Sequence, residues 1–257
     1  MISNDAIIEW QAKVGFASSL HAEQDLVLSR LIVEIANDEF LGEELVFRGG
    51  TCLHKLHLPK PLRYSEDLDY VRSTNTPIGP YIDRLRAIGD RLGMKVNTEI
   101  SRHPKVFLRA PFEDGSGRMK VKIEMNTFET SPAFEPLRVP FNVVSRWWSG
   151  AAEVKTFRVE ELVATKLRAL YQRRKGRDLF DLWLALTQLG VPSDAILAGF
   201  VPYRPDGYTR DLAIAALGAH VEHPAFRADA QLMAVASPDY DVDQAADLVR
   251  VRLLARM

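Results

Sequence analysis

Leu45-Val46-Phe47-Arg48-Gly49-Gly50-Thr51 and, just downstream, Arg63-Tyr64-Ser65-Glu66-Asp67-Leu68-Asp69-Tyr70-Val71 decide how this chain is read. Leu45 to Phe47 is a short apolar run that suits a buried strand, and two glycines punctuate it. Thr51-Cys52-Leu53-His54-Lys55-Leu56 can then open a helix. In such a strand, turn and helix unit the glycines let a ligand approach the backbone, and the free N–H groups at the helix start face an anion. A triphosphate suits that place.

The second stretch supplies the opposite charge. With Leu68, Tyr70 and Val71 in a strand, Asp67 and Asp69 leave the same face, roughly 6.6 Å apart along the backbone. Two carboxylate oxygens on one face suit Mg²⁺, which usually takes one or two carboxylates plus substrate phosphates. A phosphate turn followed by paired aspartates is a phosphoryl-transfer constellation.

Around this centre the chain is 257 residues long and 47% hydrophobic, enough for one large or two small domains. With 33 basic against 34 acidic residues, no global field draws in nucleic acid, so such a partner needs a local basic patch. Cys52 is the single cysteine; it excludes an intramolecular disulfide and fits a reducing cytoplasm, and it reads as a small buried thiol rather than a nucleophile. No stretch approaches membrane-spanning length, and the N-terminal residues do not read as an export signal.

Residues 5 to 40 have the spacing of two helices with a break near Ser18-Ser19, assigned to packing. Pro77 to Leu92 follows as a helix. Strands are expected over 94–101, 105–112, 118–128 and 139–144, with a hairpin turn at Asp114-Gly115-Ser116-Gly117. The 118–128 strand puts Lys120, Lys122, Glu124 and Asn126 on one polar face. Trp147-Trp148 reads as a pair of buried anchors between domains, and a boundary near 150 to 158 leads into helical sequence with breaks at Pro192, Pro202 to Pro205, Pro224 and Ser237-Pro238.

In the helix that starts at Val159, Lys166 lies in an otherwise apolar stripe, where it needs an anionic partner. A nucleotide phosphate would serve, and so would an internal salt bridge to Asp178 or Asp181. Arg173-Arg174-Lys175-Gly176-Arg177 is the densest basic run, read as a helix C-terminus ended by glycine. Asp178 and Asp181 share one face of the next helix.

Four motifs in order, Gly49-Gly50-Thr51, Ser65-x-Asp67-x-Asp69, Lys166-Leu-Arg-Ala169 and Arg177-Asp178-x-x-Asp181, resemble the AbiEii/AbiGii toxin family over about residues 40 to 190. Members are nucleotidyltransferases of the DNA polymerase β-like superfamily, often the toxin half of a toxin–antitoxin pair. The resemblance implies an α/β (α+β) fold: a mixed-sheet core with an N-terminal helical hairpin over 1–150, then a helical domain over 151–257 that closes the nucleotide site.

It also implies the chemistry. A nucleoside monophosphate passes from an NTP to an acceptor, with Mg²⁺ or Mn²⁺ held by Asp67, Asp69 and a third carboxylate from a neighbouring strand, here Glu124. Gly49, Gly50 and Thr51 cradle the terminal phosphates, Ser65 binds a phosphate oxygen or positions the aspartate strand, and Lys166, Arg48 and Arg173 contact the nucleotide. An aspartate of the last motif is essential in the family; Asp178 is favoured over Asp181 for that match. The implied acceptor is the 3′ end of tRNA, which Arg102, Lys105, Lys120 and Arg173 to Arg177 would help to hold, and an antitoxin is the implied protein partner. Two rivals are transfer to a protein side chain and a nucleotide-binding module without turnover.

Overall fold

A computed structural model describes residues 2–129, 131–233 and 239–257. The chain forms two compact units, Met1–Thr130 with Pro136–Phe157, and Ser131–Glu135 with Arg158–Met257. The division expected at 150/151 falls inside a strand, and the second unit takes a short segment from the middle of the first.

The first unit holds one seven-stranded sheet. Its strands are β1 (Leu45–Arg48), β2 (Asp67–Arg72), β3 (Lys95–Glu99), β4 (Lys105–Pro111), β5 (Arg118–Asn126), β6 (Leu137–Val144) and β7 (Ser149–Thr156), in the order β3-β4-β5-β2-β1-β7-β6. The β2–β5 and β1–β7 pairs are parallel and the others antiparallel, so the sheet is mixed. One face is apolar. Val106 and Leu108 of β4, Val121, Ile123 and Met125 of β5, and Leu68 and Tyr70 of β2 are buried there, as strand alternation requires.

Helices α1 (Asn4–Val14) and α2 (Ser19–Ala36) form the expected hairpin. Ser3 and Ser18 cap their N-termini, and Gly15, in the left-handed region at φ 79°, ends α1. α2 packs on β5, β6 and β7, while α5 (Gly79–Arg91) packs on β3 and β4. The remaining helices of this unit are α3 (Leu41–Glu44) and α4 (Gly49–Leu56).

A buried charge fixes α4 to the hairpin. Lys55 of α4 donates to Asp25 at 2.6 Å and to Ser29 at 2.9 Å, and the Trp10 indole N–H also donates to Asp25. Both charges are buried and hydrogen-bonded, the condition under which such a pair is tolerated.

The boundary expected near 150 to 158 takes in strand β7, whose inward side is only Ala152, Val154 and Thr156, and the first unit ends just after it, at Phe157. Trp147 and Trp148 lie in the β6–β7 turn, where the Arg30 guanidinium of the same unit stands 5.0 and 5.1 Å from their rings. They make a cation–π contact within the first unit.

The second unit is helical: α6 (Val159–Gln172), α7 (Gly176–Thr187), α8 (Ser193–Phe200), α9 (Arg210–Val221), α10 (Pro224–Met233) and α11 (Val242–Arg252). Pro192 precedes α8 and Pro224 opens α10, as proline's fixed φ favours; the break expected at Ser237-Pro238 lies outside the described residues. Gly176 does not end α6. Arg173 leaves that helix in an extended conformation, and Gly176 begins α7.

Fully buried Glu161 fastens the inserted segment. Its carboxylate accepts the backbone N–H of Ala133 at 2.8 Å and of Phe134 at 3.1 Å, and also the Tyr203 hydroxyl.

Candidate active site

The face of the sheet opposite the apolar one is polar, and register assembles a site on it. Asp67 and Asp69 of β2 stand beside Lys122 and Glu124 of the parallel strand β5, Asp67 against Lys122 and Asp69 against Glu124. On the other side Asp69 faces Arg48 of β1. Three carboxylates predicted from the sequence are thus brought onto one patch, together with a lysine that the sequence had placed on the same strand face.

Lys122 bridges two of them. Its Nζ is 3.0 Å from Asp67 Oδ2 and 3.1 Å from Glu124 Oε2. Burial lowers the ammonium's proton affinity, but Asp67 and Glu124 together outweigh burial, so its pKa is raised. Asp69 is pushed the other way: burial first, then the Asp67 carboxylate, raise its carboxyl above the ordinary range, with Arg48 and Lys122 opposing. Like charges crowd here.

The glycine turn meets the same patch. Gly49 has φ +85° and opens α4 itself, so the glycines occupy the first turn of the helix rather than preceding it. A Cβ at Gly49 would stand 2.4 Å from Asp69 Oδ2. The missing side chain makes room for a carboxylate of the site, a role in addition to the expected one of admitting a ligand. Thr51 is buried; its hydroxyl donates to the Asp67 carbonyl oxygen at 2.5 Å and lies 2.8 Å from Ser65 Oγ. Ser65 and Thr51 therefore tie the loop before β2 to α4.

Arg48, expected at the nucleotide, is held by Glu129 at 2.5 Å. Cys52 is fully buried beside the Thr156 hydroxyl, 3.1 Å away, consistent with a small core thiol. Glu129 carried no periodic signal in the sequence. Lys122 had one, the strict alternation of β5, but its partners depend on which strand lies alongside.

In the second unit Lys166 of α6 is buried against α7. Its Nζ is 2.8 Å from Asp181 Oδ2 and 3.5 Å from Asp178 Oδ1, and both aspartates are fully buried. Arg173 grips Asp178 with two bonds, Nε to Oδ2 at 2.7 Å and Nη2 to Oδ1 at 2.9 Å. The internal salt bridge left open by the sequence is present, and it joins Lys166 to both aspartates.

Does the first-unit patch suit a divalent cation? The donors are hard oxygens, burial and then the neighbouring Asp67 carboxylate raise the Asp69 carboxyl, and an ammonium already spans Asp67 and Glu124. Among the described residues no three His, Cys, Asp or Glu side chains form a ready-made cage. The fit is therefore of two carboxylates completed by substrate oxygens, the usual pattern for Mg²⁺.

The profile of the family described as nucleotidyl transferase AbiEii toxin, type IV toxin–antitoxin system, matches residues 30–248. The chain belongs to the AbiEii nucleotidyltransferase toxin family. It is accordingly a nucleotidyltransferase and a toxin of a type IV toxin–antitoxin system. Among solved structures, the AbiEii chain is similar to MenT4, a nucleotidyltransferase toxin from Mycobacterium tuberculosis H37Rv, with 18% identity, TM-score 0.63 and coverage of 100% of this chain and 91% of that one. It is also similar to JHP933 from Helicobacter pylori, with 17% identity, TM-score 0.51 and coverage of 98% and 91%. These likenesses concern the fold. None of the curated proteins matches the AbiEii chain.

Proposed function

We propose that this AbiEii toxin transfers a nucleoside monophosphate from an NTP to an RNA 3′ end, tRNA being the foremost acceptor, and so blocks translation and growth. The acceptor hydroxyl oxygen bonds to the α-phosphorus, the bridging oxygen leaves with pyrophosphate, and the hydroxyl proton is released to solvent. The observation that carries this reading is the convergence of Asp67, Asp69 and Glu124 on one patch beside the Gly49 turn.

Asp67 and Asp69, with Glu124 alongside, would hold Mg²⁺ or Mn²⁺. When bound, such an ion polarises the α-phosphate and favours the ionised acceptor hydroxyl. The chain's own groups then do the positioning. The backbone N–H groups of Gly49, Gly50 and Thr51 face the terminal phosphates, and Ser65, held by Thr51, binds a phosphate oxygen. Lys166 and Arg173 neutralise triphosphate charge, with Asp178 and Asp181 orienting them. Arg48 adds positive charge beside Asp69 while anchored to Glu129.

The open sheet face supports an RNA acceptor. Phe107 and Arg109 of β4 lie in register with Lys122 and Lys120 of β5, and Lys95 of β3 lies against Arg109. The Lys120 ammonium stands 4.5 Å from the centre of the Phe107 ring. An aromatic face ringed by cations, two strands from the paired aspartates, suits a stacked base and its flanking phosphates. Of the other basic groups, Lys105 pairs with Glu99, and Arg102 stands over Phe128. A cognate antitoxin completes the proposed partners. The chain's place in the cytoplasm is likewise a proposal; among the described residues no helix is long and apolar enough to cross a membrane.

The test incubates purified protein with Mg²⁺, each labelled NTP in turn and total tRNA, beside an Asp67→Ala, Asp69→Ala variant. Label in the tRNA band that the variant fails to produce supports the reading and identifies the base. Label on protein instead moves the acceptor to a side chain. No transfer, with NTP still bound, refutes the catalytic roles.

A further inference from the structure

The Lys122 ammonium stands among carboxylates proposed to take a divalent cation, and the inference rests on that reading of the site. Lys122 reaches sideways to Asp67 on β2 and forward along its own strand to Glu124, within 3.1 Å of each. Both partners come from the set that the resemblance assigns to metal. A cation therefore already lies between them, supplied by the protein on a flexible four-carbon stem.

We propose that Lys122 holds the place of the divalent ion while the site is free of nucleotide, and exchanges the carboxylates for the triphosphate when ion and nucleotide enter together. An ammonium and a divalent ion repel each other and compete for the same oxygens, so one must leave. Lys122 is free to do so, because its side chain keeps about a quarter of its surface exposed (27%) and Phe107, rather than another charge, is its register neighbour on the β4 side. The Gly49 turn borders the same patch through Asp69, so phosphates bound at that turn offer the ammonium new anionic partners. On the β1 side Arg48 is already engaged by Glu129. The consequence is coupling: ion binding is weak until a nucleotide is present to receive Lys122.

Lys122→Met should then move two affinities in opposite directions. Without nucleotide, Mn²⁺ binding read by the loss of the free-ion electron paramagnetic resonance signal should tighten about 5- to 10-fold, the scale of two partly exposed ion pairs removed as competitors. With Mn²⁺ saturating, binding of a non-transferable α,β-methylene NTP, read by calorimetry, should weaken about 10-fold, as loss of a charge-assisted bond to phosphate does. Lys122→Gln provides the same comparison should the methionine variant fold poorly, and Lys122→Arg should retain wild-type Mn²⁺ affinity. A Lys122→Met or Lys122→Gln protein that binds Mn²⁺ no more tightly than wild type overturns the exchange and leaves Lys122 a fixed organiser of the carboxylates. An Asp67→Asn, Asp69→Asn protein that binds Mn²⁺ like wild type overturns the metal assignment itself, a separate and recognisable failure.

Discussion

Gly49 and Asp69 compete for one volume: the carboxylate Oδ2 of Asp69 lies 2.4 Å from where a Cβ on Gly49 would stand. Gly49 also has φ +85°, a conformation that costs an L-residue roughly 1–2 kcal/mol. Two independent constraints thus converge on a single hydrogen atom. Gly49→Ala should lower stability by about 2 kcal/mol and displace the Asp69 carboxylate. Thermal denaturation and pyrophosphate release check this together; full activity in a folded Gly49→Ala protein would show that the Asp69 position is not required.

Asp69 should depress stability in the metal-free protein at neutral pH. Its folded pKa lies above the ordinary carboxyl value, chiefly through burial and then Asp67. A group raised in this way binds its proton more tightly in the folded state, so its contribution is present at low pH and lost as pH rises through the folded value. Asp69→Asn should therefore raise Tm near pH 7. The gain should fade below about pH 4, where the wild-type carboxyl is protonated in both states. The same substitution should cut nucleotidyl transfer about 10³-fold.

Lys166 pairs with two buried aspartates, and a double variant tests whether it also has the nucleotide role proposed for it. Lys166→Met removes the ammonium between fully buried Asp181 and Asp178 and should cost about 3–5 kcal/mol, the scale for breaking a buried pair. Adding Asp181→Leu removes the stranded charge and should restore much of that loss in a denaturant titration. Recovered activity in the double variant would assign Lys166 to packing alone; a stable but inactive double variant beside an active Asp181→Leu single variant would assign Lys166 to the nucleotide.

The sheet platform predicts a salt signature. Lys120→Ala and Arg109→Ala should each weaken RNA binding and reduce the slope of log affinity against log salt by about 0.7, the value for one phosphate contact on a single strand. Phe107→Ala should weaken binding by about 1–3 kcal/mol without changing that slope. Equal slopes in all three variants and wild type would place the acceptor elsewhere.

Glu161 should tolerate little. Glu161→Gln keeps the shape but leaves one acceptor oxygen in place of two; with that oxygen retained for Ala133 and Tyr203, the amide N–H₂ meets the Phe134 N–H. A loss of about 1–3 kcal/mol in chemical denaturation is expected.

Much of this was legible in the sequence because it is local. Helix α1 follows from Ala6, Ile7, Trp10 and Val14 at helical spacing with Gly15 after them, and β5 follows from strict alternation of Met119, Val121, Ile123 and Met125 with Lys120, Lys122 and Glu124. Asp67 and Asp69 share a face for the same reason. Strand β7 was hidden because its inward residues are small or polar, Ala152 and Thr156 among them. The Lys122 bridge was hidden differently. Alternation puts it on the right face, but only the parallel pairing of β2 with β5 names Asp67 as its neighbour, and pairing is a property of topology. Glu129 as the partner of Arg48 and the 131–135 segment that Glu161 holds are long-range facts of the same kind.

The parallel pairing of β2 and β5 leaves one part of the gene free to change length and another part locked. Asp69 meets Glu124 through strand register alone, so segments added or removed in the connections between residues 73 and 117 need not move either carboxylate. A single residue inserted within 118–124, by contrast, would turn Glu124 inward and present Ile123 or its replacement in its stead. Changes of length are thus absorbed on the β3 and β4 side of the protein, where they leave the facing of Asp69 and Glu124 untouched.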